Sequence, residues 1–158
     1  MPRIHKHDIA QEQLRTAVAL FLKKVDYSSV ITLAGAASGI LHTLVKRSGK
    51  ETFLDYARRI HNELVGHTPT RSKYSNHINT KLGVIAHRHF FEGESNTVEL
   101  DLEKQAYDAL CRAIGDYILL NGQEEPFIKA FLLWSWKNKD GPLEMERFKK
   151  VSDRLKPK

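Results

Sequence analysis

The sequence predicts an all-α protein: a four- to five-helix up-and-down bundle with a helical C-terminal extension. Apolar residues recur at helical spacing along most of the chain, and capping residues and glycines mark the breaks between segments. The 158 residues contain no linker long enough to separate domains. We therefore expect one domain over residues 1–158, with a core at about 8–122 and the extension at about 126–155.

The first two helices carry the strongest apolar patterns. The first is predicted from an N-cap at Asp8 to about Val25, with one apolar stripe. The second opens after Asp26-Tyr27 and ends at Ser48-Gly49, where glycine tolerates the left-handed cap conformation. It is apolar nearly all round, which predicts a place at the centre of the bundle. Its small residues Ala34–Gly39 include two glycines, which indicates that something approaches the backbone closely. The neighbour is either a tightly packed helix or a ligand or second subunit.

The middle of the chain predicts three further helices, at Thr52–Leu64, Lys73–His87 and Leu102–Leu120. Leu64 is expected to face inward. Residues 90–96 are expected to form a loop, and Thr97–Leu100 a short extended piece before the N-cap of the next helix.

The C-terminal extension is predicted as two helices. Pro126 suits the first position of a short apolar helix, Phe127–Trp136. A strongly charged last helix, Leu143–Leu155, has only a narrow apolar edge. That edge must pack back on the domain or join a subunit contact, since large aromatic residues are favoured at interfaces.

The charge of the chain is unevenly distributed. The net charge is +6 with a pI near 9.4, and residues 1–90 hold 14 Lys or Arg against 6 Asp or Glu, whereas residues 91–135 hold 3 against 9. This segregation is compatible with an anion-binding face, with complementary patches that dock subunits, or with ordinary solvated surface. A basic balance makes nucleic acid a plausible partner.

Membrane and export signals are not expected. Tyr27–Val45 runs for 19 residues without a formal charge, but eight of these are Ser, Thr, Gly or His, so the stretch lacks the continuous apolarity of a membrane span. The basic N-terminus leads into an amphipathic segment. Cys111 is the only cysteine, so no internal disulfide can form. We expect a cytoplasmic protein with no membrane partner.

The histidines form the main candidate site. Five of the eight lie between positions 61 and 89. Histidine ligates metals, moves protons near neutral pH or fills partly buried polar sites. No HExxH pair or carboxylate cluster accompanies these histidines, and no phosphate-binding glycine motif or nucleophile elbow is present. No metal and no cofactor are therefore predicted. The five are His61, His67, His77, His87 and His89.

The order of segments resembles a group of small bacterial proteins that in turn resemble the HEPN helical domains. The resemblance covers roughly residues 10–122. It is carried by Asp26-Tyr27-Ser28 before Ile31-Thr32-Leu33-Ala34-Gly35-Ala36-Ala37, by Ile78-Asn79 through Val84-Ile85-Ala86-His87, and by Asp108-Ala109-Leu110.

The resemblance implies an all-α core, frequent homodimerisation and, in many members, metal-independent RNA cleavage. Catalytic members carry an arginine followed by a histidine after four to six residues. Here His87 takes the histidine position and Lys81 stands where the arginine is expected. Lysine offers a point charge in place of a planar fork suited to phosphate. Arg71 and His77 match the spacing literally.

The sequence therefore favours a HEPN-like module with weak or no catalysis, forming a homodimer and binding an RNA or protein partner. Phosphate contacts are expected from Arg71, His77, Arg88 and His89. One alternative is a metal-independent endoribonuclease with His87 as general acid or base and Lys81 stabilising phosphate charge. Another is a helical protein that binds a small molecule or a metal.

Overall fold

The structure is a computed structural model that describes residues 1–158, and it confirms the all-α prediction. It contains eight α-helices, one short 3-10 helix near the C-terminus and no strand. The α-helices are α1 (Lys6–Leu22), α2 (Tyr27–Arg47), α3 (Phe53–Val65), α4 (Arg71–Lys81), α5 (Val84–Arg88), α6 (Leu102–Asn121), α7 (Pro126–Asn138) and α8 (Gly141–Lys150).

The core lies between three long helices. α2 packs against both α1 and α6, which confirms its predicted central place. α7 covers α1 and contributes two buried side chains to the core, Ile128 and Phe131. Burial of apolar side chains along these seams, at about 25 cal/mol for each Å² removed from water, is the main force that holds the helices together.

α2 is also long and apolar enough to cross a bilayer by length and composition alone. The core helix of a water-soluble protein passes the same test, and α1 and α6 cover two sides of α2.

Three details of the first and third helices differ from the sequence-based expectation. α1 begins at Lys6, because the His5 side chain accepts a hydrogen bond from the His7 amide and so takes the N-cap role expected of Asp8. Val25 lies beyond the end of α1 and is exposed, since Lys24 turns the chain with a φ of 56°. Leu64 was expected to face inward but is 70% exposed in the last turn of α3.

The fourth predicted helix is wrong as one continuous element. The chain forms α4, turns at Leu82-Gly83 and starts α5 at Val84. Gly83 has a φ of +74°, a left-handed conformation that glycine adopts without steric cost and that ends a helix. Residues 97–100 carry no regular secondary structure and belong to no sheet.

The last helix is shorter than predicted, ending at Lys150, and Asp153–Leu155 form a 3-10 turn. Side chains of α3 bind the backbone of this terminal segment. Arg59 donates through Nη1 to the Arg154 carbonyl at 2.6 Å and through Nη2 to the Lys156 carbonyl at 2.9 Å. The predicted helix to Leu155 therefore ends five residues early, and the carbonyls of the segment that follows accept hydrogen bonds from Arg59 of α3.

Candidate functional site

A basic surface runs along α4 and α5. Residues 66–90 contain four Lys or Arg, four His and no Asp or Glu. We define the basic surface as the exposed site residues that the sequence predicts in this segment, together with Lys73. Its members are Arg71, Lys73, His77, Lys81, Arg88 and His89. Of its four Lys and Arg residues, Arg71 alone forms an ion pair, with Asp55 at 2.9 Å. Three formal positive charges therefore remain without an acidic partner in the chain.

The turn at Gly83 is held against the body of the protein at two points. The Gln105 side-chain amide of α6 donates to the carbonyl of Lys81 at 3.0 Å. Val84 is 2% exposed and packs on Gly35 of α2, so close that a β-carbon on that glycine would lie 2.9 Å from a Val84 methyl group. α5 therefore packs closely against the small residues of α2, which is one of the close approaches that the two glycines of α2 predicted.

His87 lies in α5 with its ring half-buried. Its Nδ1 lies 2.7 Å from the carbonyl oxygen of Gly83. Because a carbonyl oxygen only accepts, Nδ1 carries the proton and Nε2 of the neutral ring keeps its lone pair. Lys81 is exposed at the end of α4, and no hydrogen bond or ion pair joins its ammonium group to His87.

His77 belongs to a different part of the basic surface. It lines a shallow cavity of ≈ 290 Å³ together with His61, His67 and Lys73. The His61 and His67 rings meet edge-on with centroids 5.6 Å apart. The structure thus separates the sequence-predicted residues into a group at the start of α4 and a group around α5.

A groove lies beside α5. Its volume is ≈ 570 Å³, and it is lined by Ala86, His89 and Phe90 on one side and by residues 94–100 on the other. The His89 ring stacks on Phe91 with centroids 5.4 Å apart and planes at 22°. The sequence pattern predicts only a loop for Phe90 and Phe91. Their position directly after Arg88-His89 was the available signal for an aromatic and basic surface.

A buried polar pair behind the basic surface also escaped sequence reasoning. Arg112 and Asp116 of α6 are 7% and 0% exposed. The guanidinium Nη1 of Arg112 donates to Asn79 Oδ1 of α4 at 2.6 Å, and Asp116 Oδ1 accepts from the Phe53 amide of α3 at 2.8 Å. These bonds tie α3 and α4 to α6. The available signal was two charged residues four apart within an apolar helix.

Burial governs the ionisation of this pair. It raises the pKa of Asp116 to about 6, an effect that the hydrogen bond from Phe53 and the charge of Arg112 only partly offset. Burial also lowers the pKa of Arg112 and that of His42, the latter with help from the Arg112 charge. The hydrogen bonds of Arg112 to Asn79 and of the Phe53 amide to Asp116 hold α4 and α3 against α6.

The remaining candidate chemistry is limited. No group of three His, Cys, Asp or Glu side chains is placed to hold a metal ion. Burial raises the pKa of Cys111 to about 11, which keeps the thiol protonated at neutral pH and unsuited to nucleophilic attack.

No family model, no curated protein and no solved structure matches this chain. The likeness to HEPN domains rests on the sequence pattern and stays a prediction.

Proposed function

We propose that this protein is a HEPN-like helical module, a four- to five-helix bundle with a C-terminal extension, that binds RNA through its basic surface with weak or no catalysis. The observation that carries the proposal is the acid-free segment 66–90, in which Lys73, Lys81 and Arg88 are exposed and form no ion pair. Unpaired cations arranged along neighbouring helices are what a phosphate backbone requires.

Exposed aromatic rings beside these cations favour single-stranded RNA. Phe90 and Phe91 are 69% and 53% exposed and follow Arg88 directly in the chain. Unpaired bases stack on such rings, whereas the bases of a duplex are not available to them. The combination supports a flexible single strand as the partner.

Salt dependence tests the proposal. We expect labelled single-stranded RNA to bind in fluorescence anisotropy, with an affinity that falls steeply as salt increases. The triple variant K73Q/K81Q/R88Q should reduce the slope of log affinity against log salt by about 2, because each phosphate contact on a single strand contributes about 0.7.

The matched control removes the same charge elsewhere. Lys23, Lys137 and Lys150 are exposed, form no ion pair and lie outside the basic surface. The variant K23Q/K137Q/K150Q should keep the wild-type slope. Equal losses in the two triple variants would show that net charge alone attracts RNA and would overturn the proposed surface.

The proposal includes a homodimer. Apolar side chains of α7 and α8 are exposed in the single chain, which supports a second copy as their partner: Leu133, Trp136, Leu143, Met145 and Phe148. Light scattering after size-exclusion chromatography should give twice the chain mass of 18.1 kDa. A monomer mass across the working concentration range would remove the dimer.

A second candidate, metal-independent endoribonuclease activity, is favoured by one observation. The Nδ1 contact of His87 with Gly83 leaves Nε2 as a proton acceptor, the form that a general base needs. RNA cleavage in the presence of a metal chelator would be lost in H87A and retained in H5A, whose histidine is exposed and lies outside the basic surface. Intact RNA after incubation with the wild-type protein would eliminate this candidate.

A further inference from the structure

The groove beside α5 has features that the phosphate-binding surface does not explain. Its volume of ≈ 570 Å³ falls in the range of small-ligand sites. Ile85 and Ala86 provide an apolar wall from α5, and Phe90 continues it beyond the helix. A phosphate group gains nothing from such a wall, whereas a flat heterocyclic base does.

The opposite wall offers unused hydrogen-bonding groups. The backbone amides of Val98, Glu99 and Leu100 donate to no group within the protein, and their carbonyls accept from none. Segments of this kind can pair with the edge of a base or with an extended peptide. The groove therefore combines an apolar face with a polar rim, the composition typical of a ligand site.

Carboxylates at the groove determine which part of an RNA fits. Glu94 accepts a hydrogen bond from the Phe91 amide at 3.0 Å, while Glu99 has no hydrogen-bond or ion-pair partner. A free carboxylate repels phosphate and only accepts hydrogen bonds. It suits a base that carries an exocyclic amino group, as cytosine, adenine and guanine do. The one donor on the pairing edge of uracil, N3–H, lies between two carbonyl oxygens that a carboxylate repels.

We infer that this groove binds one unstacked nucleobase of a single-stranded RNA and prefers amino-bearing bases to uracil. The phosphates on either side would lie on Arg88 and Lys81, outside the groove, so charge complementarity places the backbone and the base on adjacent surfaces. The inference rests on the proposed RNA-binding function and adds base selection to it.

Binding of equal-length oligo(C) and oligo(U) tests the inference by fluorescence anisotropy. Wild-type protein should bind oligo(C) at least about fivefold more tightly than oligo(U). Substitution A86L fills the groove from an exposed position on α5, and F90A removes the exposed ring. Each should weaken oligo(C) binding about tenfold without changing the salt slope. E99Q should bring the affinities for the two oligomers to within about twofold of each other.

The matched control is I4A, which removes a 67% exposed apolar side chain before α1, outside both the groove and the proposed dimer surface. It should bind both oligomers as the wild type does. Circular dichroism of every variant confirms that the helices are retained, and Phe90, Glu99 and Ala86 are all exposed, so their substitution leaves the core intact.

The two proposals fail in different ways. If the wild-type protein shows no salt-dependent RNA binding, the proposed function falls and the groove assignment falls with it. If RNA binds with the expected salt slope but oligo(C) and oligo(U) bind equally, or A86L and F90A bind as the wild type does, only the base-binding groove is overturned. The latter outcome would leave the free backbone of residues 98–100 as a docking edge for a peptide.

Discussion

Gly35 provides a direct test of how α2 and α5 pack. Its position at the middle of α2 faces Val84, and a β-carbon there would lie 2.9 Å and 3.1 Å from the two Val84 methyl groups. Gly39, one helical turn later, would place its β-carbon with nothing within 4 Å. The two glycines share a helix and differ in their surroundings, so each controls for the other.

The expected effects have opposite signs. Replacing a helical glycine by alanine stabilises a protein by about 1 kcal/mol through lower conformational entropy of the unfolded chain. G39A should show this gain in full. G35A obtains the same gain but forces Val84 aside, and overpacking costs about 1–3 kcal/mol. Taking about 2 kcal/mol, because the five-residue α5 can shift, we expect G35A to be destabilising by about 1 kcal/mol.

Urea unfolding followed by circular dichroism measures both effects. The variant V84A removes the two methyl groups that the new β-carbon would meet. In the V84A background, G35A should therefore become stabilising by about 1 kcal/mol, a coupling of about 2 kcal/mol between the two positions. If G35A stabilises the wild-type protein as much as G39A does, the close approach of α5 to α2 is refuted.

Two further predictions concern the supports around the site. Burial raises the pKa of Asp116 to about 6, so between about pH 4 and 6 the folded protein holds a proton that the unfolded chain has released. The free energy of unfolding should therefore fall by up to about 3 kcal/mol as the pH rises from about 4 to 6. D116N keeps an acceptor for the Phe53 amide and should remove this decline in urea unfolding; a pH-independent difference from the wild type would contradict it. R59L should free the carbonyls of Arg154 and Lys156 and also break the ion pair of Arg59 with the mostly buried Glu51. Limited proteolysis should therefore cut beyond residue 150 faster, and the free energy of unfolding should fall by about 1–3 kcal/mol; unchanged cleavage would show that Arg59 does not hold this segment.

Much of the secondary structure was accessible from the sequence. The apolar stripes and caps predicted α2, α3, α6 and α7 to within a few residues, because helical periodicity depends on neighbours three and four positions apart. The fourth helix was wrong because its apolar spacing continues through Gly83, and the sequence does not show whether a glycine there will adopt a positive φ.

The candidate site divides in the same way. The charges of the basic surface could be read from the composition of residues 66–90, since lysine and arginine remain exposed in almost any fold. The groove could not, because its walls come from α5 and from irregular residues up to position 100. The hydrogen bond from Arg112 to Asn79 could not be predicted from the sequence either, since the two residues are 33 positions apart in the chain.

What the sequence by itself determined about this protein is its helical class, its central apolar helix and the basic character of one segment, because each depends on residues close together in the chain. Only the tertiary structure decided that α5 turns away from α4, that Val84 packs on Gly35 and that a groove opens beside His89 and Phe90. These features depend on contacts between helices distant in sequence, where shape and burial, rather than local propensity, select the conformation.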